Sequence, residues 1–414
     1  MNYIFIDIKA GIEKVGIVEE DKLVEFYIDY EDEDQLVGNI YRGRVKNVLK
    51  GMEAAFVDIG HEKNAYLDLK NAIPQNTKRE NIDIRDVVKI GQEIIVQVLK
   101  EPTESKGAKV TTKITLPGRF IVLTPYLDKI SISRKIEEEE EIKRLTSIGE
   151  NIKEENIGLI FRTNSQGVNE DLLAKEYSSL VKLFKKIERE RHFLPCPKLI
   201  YKEMDLAEKV IRDSYNEKID KIIVNDREKY NRLLELEDIF FPDFKDKLIY
   251  DEDFDINYEE NILKGLRNAL ERKVYLKSGG YIVIDETEAL TVIDVNTGKF
   301  VGNINLEDTV VKTNLEAAEE IARQIRLRNL TGIILIDFIQ MKNNKDVKLV
   351  MEKLEEYLSR DRNKANIVDI TKLGLVELTR RKSRNSLSNH FIKPCPTCKG
   401  KGKLYKIIDK QMYI

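Results

Sequence analysis

The sequence predicts an α/β protein of several domains with a small β-barrel inserted near its start. Three observations carry that expectation. Five short strand-like runs, punctuated by Gly51, Gly60 and Gly91, fall within residues 40–114, a density that suits a closed barrel. Residues 281–338 read as two strands, a helix and a fully apolar strand, which makes a crossover unit with neighbouring parallel strands. The chain has 414 residues, 42% hydrophobic and 35% charged, enough for roughly two to three domains with a substantial core.

The same figures exclude several classes. No run of about 18 apolar residues exists, so no membrane span is expected. The start, MNYIFIDIKAG, has neither a basic lead nor a small-residue cleavage site, which argues against a secretory signal. Three cysteines are too few for a disulfide framework and fit a reducing cytoplasm. The net charge of −3 says little, but its distribution says more. Residues 39–119 carry a balance of +5 and residues 321–414 one of +12, against −20 elsewhere. Two basic regions in an acidic chain point to a polyanionic partner.

In order along the chain, Tyr3–Ile8 alternates apolar and polar residues as a strand, with Val15–Val18 and Lys22–Ile28 as hairpin partners. After the acidic link at 31–35 come the barrel strands Ile40–Leu49, Ala54–Asp58, Ala65–Leu69, Glu93–Lys100 and Lys109–Ile114. Five strands in so short a span suggest a barrel of the OB type. Residues 119–135 carry further strand signal, and the run EEEEEIKR at 137–144 reads as a solvated helix face. Gly158–Thr163 is an apolar strand ending in Arg-Thr, followed by a charged helix near 170–190 and a break at Pro195-Cys196-Pro197. Residues 198–270 mix short strands with helices. Tyr281–Asp285 and Ala289–Val295 are strands; Thr313-Asn314-Leu315-Glu316 reads as a capping box opening a helix. Leu315, Ala318, Ala322 and Ile325 share one face of that helix, and Ile333–Ile336 is the apolar strand that follows Gly332.

Asp294 and Asp337 then stand at the C-terminal ends of two strands in one crossover unit, the edge where open α/β sheets bind ligands. Asn296, two residues on, shares the face of Asp294 if the strand continues. Two carboxylates and an amide oxygen form a hard-oxygen set that suits Mg²⁺. Asp285 and Asp7 also end apolar strands and compete for this role. His61, His192 and His390 are scattered, which disfavours a His-centred hydrolase. Cys395 and Cys398, in a Pro/Gly-rich Cys-x-x-Cys turn, supply half of a tetrahedral zinc site. The other half would come from a second copy of the chain across a two-fold axis. The rivals are a redox motif, or a site completed by His390 and Cys196.

The strings SGGYIVIDETEALTVIDVNTGK (278–299), TNLEAAEEIARQIRLRNLTGIILIDF (313–338) and KPCPTCKGKG (393–402) resemble the catalytic core of the ribonuclease E/G family. NIYRGRVKNVLKGMEAAFVDIG (39–60) resembles that family's OB-type RNA-binding insertion, and GLIFRT (158–163) its 5′-end sensor. The resemblance implies five parts in six segments: a ribonuclease H-like subdomain at 1–37 and 208–277, the barrel at 38–118, a 5′-sensor at 119–207, a DNase-I-like catalytic subdomain at 278–391 and a zinc link at 392–414. It implies a Mg²⁺-dependent endoribonuclease that hydrolyses single-stranded A/U-rich RNA to 5′-phosphate and 3′-hydroxyl ends. The RNA would be messenger RNA and ribosomal RNA precursors, with 5′-monophosphorylated RNA favoured. Asp294 and Asp337 match the Mg²⁺ ligands and Asn296 the assisting amide, while Cys395 and Cys398 match the pair that shares Zn²⁺ between two subunits of a homodimer. Arg162 and Thr163 match residues that grip a 5′-monophosphate, Val122 one that supports that pocket, and Phe56, Tyr66 and Lys106 the RNA contacts of the barrel.

Three departures accompany the likeness. Lys364 stands where relatives carry an Arg at the 5′ pocket, and Lys lacks the bidentate fork, which predicts a weaker monophosphate preference. Tyr66 replaces a Phe and keeps the stacking face. Members usually carry a further domain after the zinc link, whereas this chain runs 16 residues past Cys398; a dimer is expected and any larger assembly is open. Taken without the resemblance, each aromatic reads as barrel core and Lys106 as an ordinary exposed lysine. Two alternatives remain in view: a non-catalytic RNA-binding dimer, and a phosphotransferase of the sugar-kinase and actin type, which IFIDIKAG suggests but Lys9-Ala10-Gly11, with one glycine, does not support.

Overall fold

The computed structural model describes the chain apart from residues 31–34, 74–81, 104, 194, 236–243, 299–305, 364, 383–384, 394, 399–401 and 403–414. The described chain forms two compact units: residues 1–28, 218–223 and 253–414 in one, and 29–217 with 224–252 in the other. No helix among the described residues is long and apolar enough to cross a membrane.

The first unit opens with β1 (Tyr3–Lys9), β2 (Ile12–Glu19) and β3 (Lys22–Tyr30). Lys9 pairs with Ile12, leaving Ala10 and Gly11, both at positive φ, as a two-residue turn; that geometry matches the right-handed twist of the strands it joins. Gly16 is required for packing, since a Cβ there would lie 2.2 Å from the Phe5 ring. Phe5, Leu23, Phe26, Phe254, Ile262 and Leu266 form the core beneath.

The second unit contains the barrel. Its strands are β4 (Ile40–Leu49), β5 (Ala54–Asp58), β6 (Ala65–Asp68), β7 (Glu93–Lys100) and β8 (Lys109–Thr111), the last ending sooner than the predicted Ile114. They run β4-β5-β6-β8-β7 and close through a β4–β7 pairing, which removes every free edge from the ring. Alternating residues Val45, Ala55, Val57, Ala65, Leu67, Val96 and Val110 fill the interior. A four-stranded sheet follows, β9 (Leu116–Pro117), β10 (Ile121–Pro125), β11 (Ile130–Ile132) and β12 (Ile157–Phe161), in the order β11-β12-β10-β9. Helices Glu139–Ile152 and Glu170–Phe193 accompany it. Glu139, Glu140 and Glu141 of the glutamate run form the first turn of the former helix, where the macrodipole favours negative charge, while Leu145 and Ile148 turn inward. β13 (Lys198–Tyr201) pairs with β4.

Back in the first unit, β14 (Lys221–Val224) lies beside β1, and in the second Leu248–Tyr250 forms β15. The second sheet of the first unit is β16 (Lys273–Tyr275), β17 (Tyr281–Glu286), β18 (Leu290–Asn296), β19 (Gly332–Asp337), β20 (Ala365–Ile370) and β21 (Val376–Arg380), ordered β16-β17-β18-β19-β21-β20. Among the described residues its pairings are antiparallel except that of β18 with β19, which is parallel, as a crossover helix between them requires. One sheet face is buried: Ile282, Ile284, Ile293, Val295, Ile334 and Ile336 pack with Ala318, Ile321 and Ile325 of the helix Leu306–Leu327 and with Val350 and Leu354 of Asn344–Ser359.

One expectation fails here. The helix runs Leu306–Leu327, so Thr313 lies inside it and opens nothing. Thr313 is fully buried and its hydroxyl donates to the Thr309 carbonyl at 2.8 Å. A Thr-x-x-Glu string marks a helix start only where the preceding residues are not themselves helical, and here they are.

Candidate active site and nucleic-acid interface

The open face of the six-stranded sheet carries the carboxylates. Asp294 and Asp337 are partners in the β18–β19 register, and lateral neighbours in a sheet project to the same side. Residues alternate along each strand: Ile293, Val295, Ile334 and Ile336 are buried, while Asp294 and Asp337 are exposed. The Asn296 amide nitrogen donates to Asp294 Oδ2 at 2.6 Å, which fixes the carboxylate and leaves the Asn296 carbonyl oxygen pointing elsewhere. The competing aspartates are committed. Arg272 binds both oxygens of Asp285 at 2.5 and 2.7 Å, and Asp7 is fully buried with Lys14 at 3.4 Å.

No group of three or more His, Cys, Asp or Glu gathers as a metal-ligand set among the described residues. Two exposed carboxylates with a neighbouring amide still suit Mg²⁺, which takes one or two carboxylates and keeps several waters. They suit zinc poorly, since neither His nor Cys stands beside them on β18 or β19.

On the barrel, Phe56 and Tyr66 are cross-strand partners on β5 and β6. Their ring centroids lie 6.0 Å apart at 66°. Both are half-buried, whereas Ala55, Val57, Ala65 and Leu67 beside them are fully buried. The rings therefore lie on the outer surface, and the core reading of the aromatics does not hold. Asn47 pairs with Phe56 from β4, and Lys109 pairs with Tyr66 from β8. A row Asn47–Phe56–Tyr66–Lys109 thus crosses four strands. Sequence reasoning missed Asn47 and Lys109 because their place depends on lateral register; Lys109 also holds Asp68 at 2.6 Å. Lys106 is exposed in a turn closed by its own N–H to the Thr103 carbonyl. Gly107 lets this turn lie against β6: a Cβ there would be 2.1 Å from the Asn64 carbonyl oxygen.

Around β10 and β12, the Arg162 N–H donates to the Phe120 carbonyl at 2.7 Å. Its guanidinium donates to the Gly118 carbonyl at 2.5 Å and pairs with Asp213 at 2.8 Å. Thr163 and Ser133 share a hydroxyl hydrogen bond of 3.0 Å. Val122 is half-buried on β10 beside Ile160 of β12. Two acidic residues went unread in the sequence. Asp213 already holds Arg162. Glu176, buried, accepts N–H bonds from Arg119, Phe120 and Ile121 at 2.6–3.2 Å, and burial pushes its carboxyl up to about 7 against those donors. Lys364 lies outside the described residues.

Cys395 is exposed and Cys398 half-buried, both as free thiols. N–H groups of Cys398 and then Thr397 lower the Cys395 thiol below its usual range, and the Gly402 N–H reaches Cys398 Sγ at 3.2 Å. Thiolate is the form that binds zinc, so the direction of the Cys395 shift suits that role. Cys196 belongs to the other unit, where its thiol donates to the Arg42 carbonyl at 3.8 Å and burial raises its pKa. The rest of the cysteine tail, at 403–414, is outside the described residues.

Comparison with known proteins shows the family of the chain. Residues 115–383 match the model described as Ribonuclease E/G family, and residues 34–113 match that of the S1 RNA binding domain. The chain is 40% identical over 426 aligned residues to Ribonuclease G of Escherichia coli (strain K12), covering 99% of this chain and 86% of that protein. It is 40% identical over 412 residues to Ribonuclease G of Haemophilus influenzae, covering 97% and 83%. It is 37% identical over 391 residues to Ribonuclease E of Synechocystis sp., covering 92% and 57%.

Proposed function

We propose that this chain, which belongs to the ribonuclease E/G family and is an endoribonuclease of RNA processing, cuts single-stranded A/U-rich RNA with Asp294 and Asp337 as its Mg²⁺ ligands. One observation carries the reading: the two carboxylates are register partners on adjacent parallel strands of an open sheet face, with Asn296 bonded to Asp294. Bound there, the cation would stabilise charge on the scissile phosphate and lower the pKa of water. The residues do the rest. Asp294 and Asp337 hold the site on rigid strands, Asn296 orients Asp294, and its carbonyl oxygen orients the attacking water by accepting one of its protons in a hydrogen bond. Neither β18 nor β19 offers a histidine to activate a 2′-hydroxyl, so attack by water is favoured and leaves 5′-phosphate and 3′-hydroxyl ends.

Other residues bind the substrate. The S1 barrel supplies an RNA-binding surface, where Phe56 and Tyr66 stack bases and Lys106 meets a phosphate. Arg162 and Thr163, supported by Val122, receive a 5′-monophosphate. Arg162 must exchange Asp213 for that phosphate, and the dianion is the stronger acceptor. The substrates are messenger RNA and ribosomal RNA precursors in the cytoplasm. In this reading 1–37 with 208–277 is ribonuclease H-like, 38–118 the barrel, 119–207 the sensor and 278–391 DNase-I-like. Residues 392–414 form a link in which Cys395 and Cys398 share Zn²⁺ with a second subunit. Two thiolates are half of the four ligands zinc takes, which supports a homodimer. The test is cleavage of an end-labelled A/U-rich RNA bearing either a 5′-monophosphate or a 5′-hydroxyl, with Mg²⁺ or with EDTA. Mg²⁺-dependent internal cutting that yields 5′-phosphate ends is expected; cutting in EDTA, or cyclic-phosphate ends, would refute the proposed chemistry.

A further inference from the structure

Next to the carboxylates, the open sheet face carries a group with no part in the chemistry above. Across from Asp294 on β17 is Val283, and across from Asn296 is Tyr281. Tyr281 in turn pairs with Tyr275 on β16. Strand alternation and lateral register put both tyrosines on the face of Asp294 and Asp337. Tyr275 is 70% exposed, and Tyr281 is half-buried beside it. Their centroids are 6.2 Å apart at 60°. The Lys273 ammonium lies 3.5 Å from the Tyr281 centroid and 4.8 Å from that of Tyr275. Its neighbour Arg272 is occupied by Asp285, whereas the Lys273 ammonium lies over the two rings.

These contacts assign different tasks to the two rings. The ammonium covers one face of Tyr281, which makes that ring a buttress. Tyr275 keeps an open face and is held upright by Tyr281 and Lys273. Adjacent strands lie about 4.8 Å apart, so Tyr275 stands roughly 10 Å from the Asn296 column, within reach of a nucleotide flanking a phosphate at Asp294. An open aromatic face beside an ammonium that carries spare N–H donors matches a nucleobase and its phosphate.

We propose that Tyr275, buttressed by Tyr281 and Lys273, stacks one base of the substrate RNA next to the scissile phosphate. This subsite is separate from the barrel aromatics, and it rests on the reading of Asp294 and Asp337 as the cutting centre. Stacking is indifferent to base identity, so the subsite sets the strand's register and demands an unpaired base at one position. It thereby contributes to the restriction to single strands.

The test uses single-site RNA oligonucleotides, each with one abasic ribose at a successive position around the cut. kcat/KM is measured with Mg²⁺, and Kd with EDTA, for wild type, Tyr275→Ala, Tyr275→Phe and Tyr275→Leu. An abasic ribose at one position is expected to weaken wild type by roughly 5- to 150-fold, the worth of one base–ring stack. Tyr275→Ala and Tyr275→Leu should show the same loss on intact RNA and no further loss on that abasic RNA. Tyr275→Phe should behave as wild type. Losses that multiply, or no position-specific coupling in either measurement, would overturn the proposal. So would a Tyr275→Ala variant with normal RNA binding but an altered oligomeric state, since the ring would then be a protein contact. Normal cleavage by Asp294→Asn would remove the cutting-centre reading, while the Kd coupling in EDTA would still decide whether Tyr275 stacks a base.

Discussion

Phe56→Ala gives a prediction whose size follows from where the ring sits. The residues flanking Phe56 and Tyr66 in their strands, Ala55, Val57, Ala65 and Leu67, are each 0% exposed, so the barrel core is complete without the aromatic pair. Removing the Phe56 ring therefore costs the fold little more than its edge-on contact with Tyr66, about 0.5–1.5 kcal/mol. On the RNA side one stacking platform is lost, about 1–3 kcal/mol, or roughly 5- to 150-fold in Kd. The assay is fluorescence anisotropy with a labelled single-stranded RNA in EDTA, beside thermal unfolding. The slope of log Kd against log salt should not change, because no phosphate contact is touched. A Kd within twofold of wild type would refute the stacking role. A stability loss of about 3–5 kcal/mol, the cost of truncating a core Phe, would refute the surface assignment.

Other outcomes follow from the same reasoning. Lys106→Ala should weaken RNA binding across all sequences and lower the salt slope by about 0.7, one phosphate's share for a single strand; an unchanged slope measured by anisotropy would leave Lys106 without a phosphate. For Glu25, burial pushes the carboxyl up, but Arg362, Arg326 and Tyr27 outweigh it and hold the pKa at about 2, against 4.5 unperturbed. A depressed pKa contributes stability above pH 4.5 that is lost as pH falls towards 2, here about 3 kcal/mol. Urea unfolding across that window should therefore flatten in Glu25→Gln, and an identical pH slope in the variant would contradict the assignment. Cys395→Ser should release zinc and turn a zinc-linked dimer into monomers by light scattering; a dimer that survives both the substitution and a chelator would exclude the shared site.

The parts of the fold that could be read in the sequence are those that depend on local pattern. The barrel strands announce themselves by short β-branched runs between glycines, and the crossover helix by its apolar face. Asp294 and Asp337 stood out because each stands at or near the C-terminal end of an apolar strand. What the pattern could not carry was register. Nothing local to Asn47 or Lys109 reveals that they flank Phe56 and Tyr66, because those pairings join separate strands. Glu176 reads as one more charge on a charged helix, yet it organises an N–H loop 55–57 residues away. Tyr275 and Tyr281 read as ordinary strand residues until two successive pairings set them beside Asn296. The capping box misled for the opposite reason: a valid local signal fell within a longer helix whose packing decided its ends.

On the proposed reading, Asp294 and Asp337 form one cutting centre. Its most direct test is single-turnover cleavage of one RNA by wild type, Asp294→Asn, Asp337→Asn and the double variant, with RNA affinity measured separately in EDTA. Each single substitution should slow cleavage by at least about 10³-fold, since a cation shared by both carboxylates would supply several kcal/mol of transition-state stabilisation. The double variant should be no slower than either single one, and RNA affinity should stay within a few-fold of wild type. Cleavage within tenfold of wild type in either single variant, or losses that multiply in the double, would contradict a shared centre.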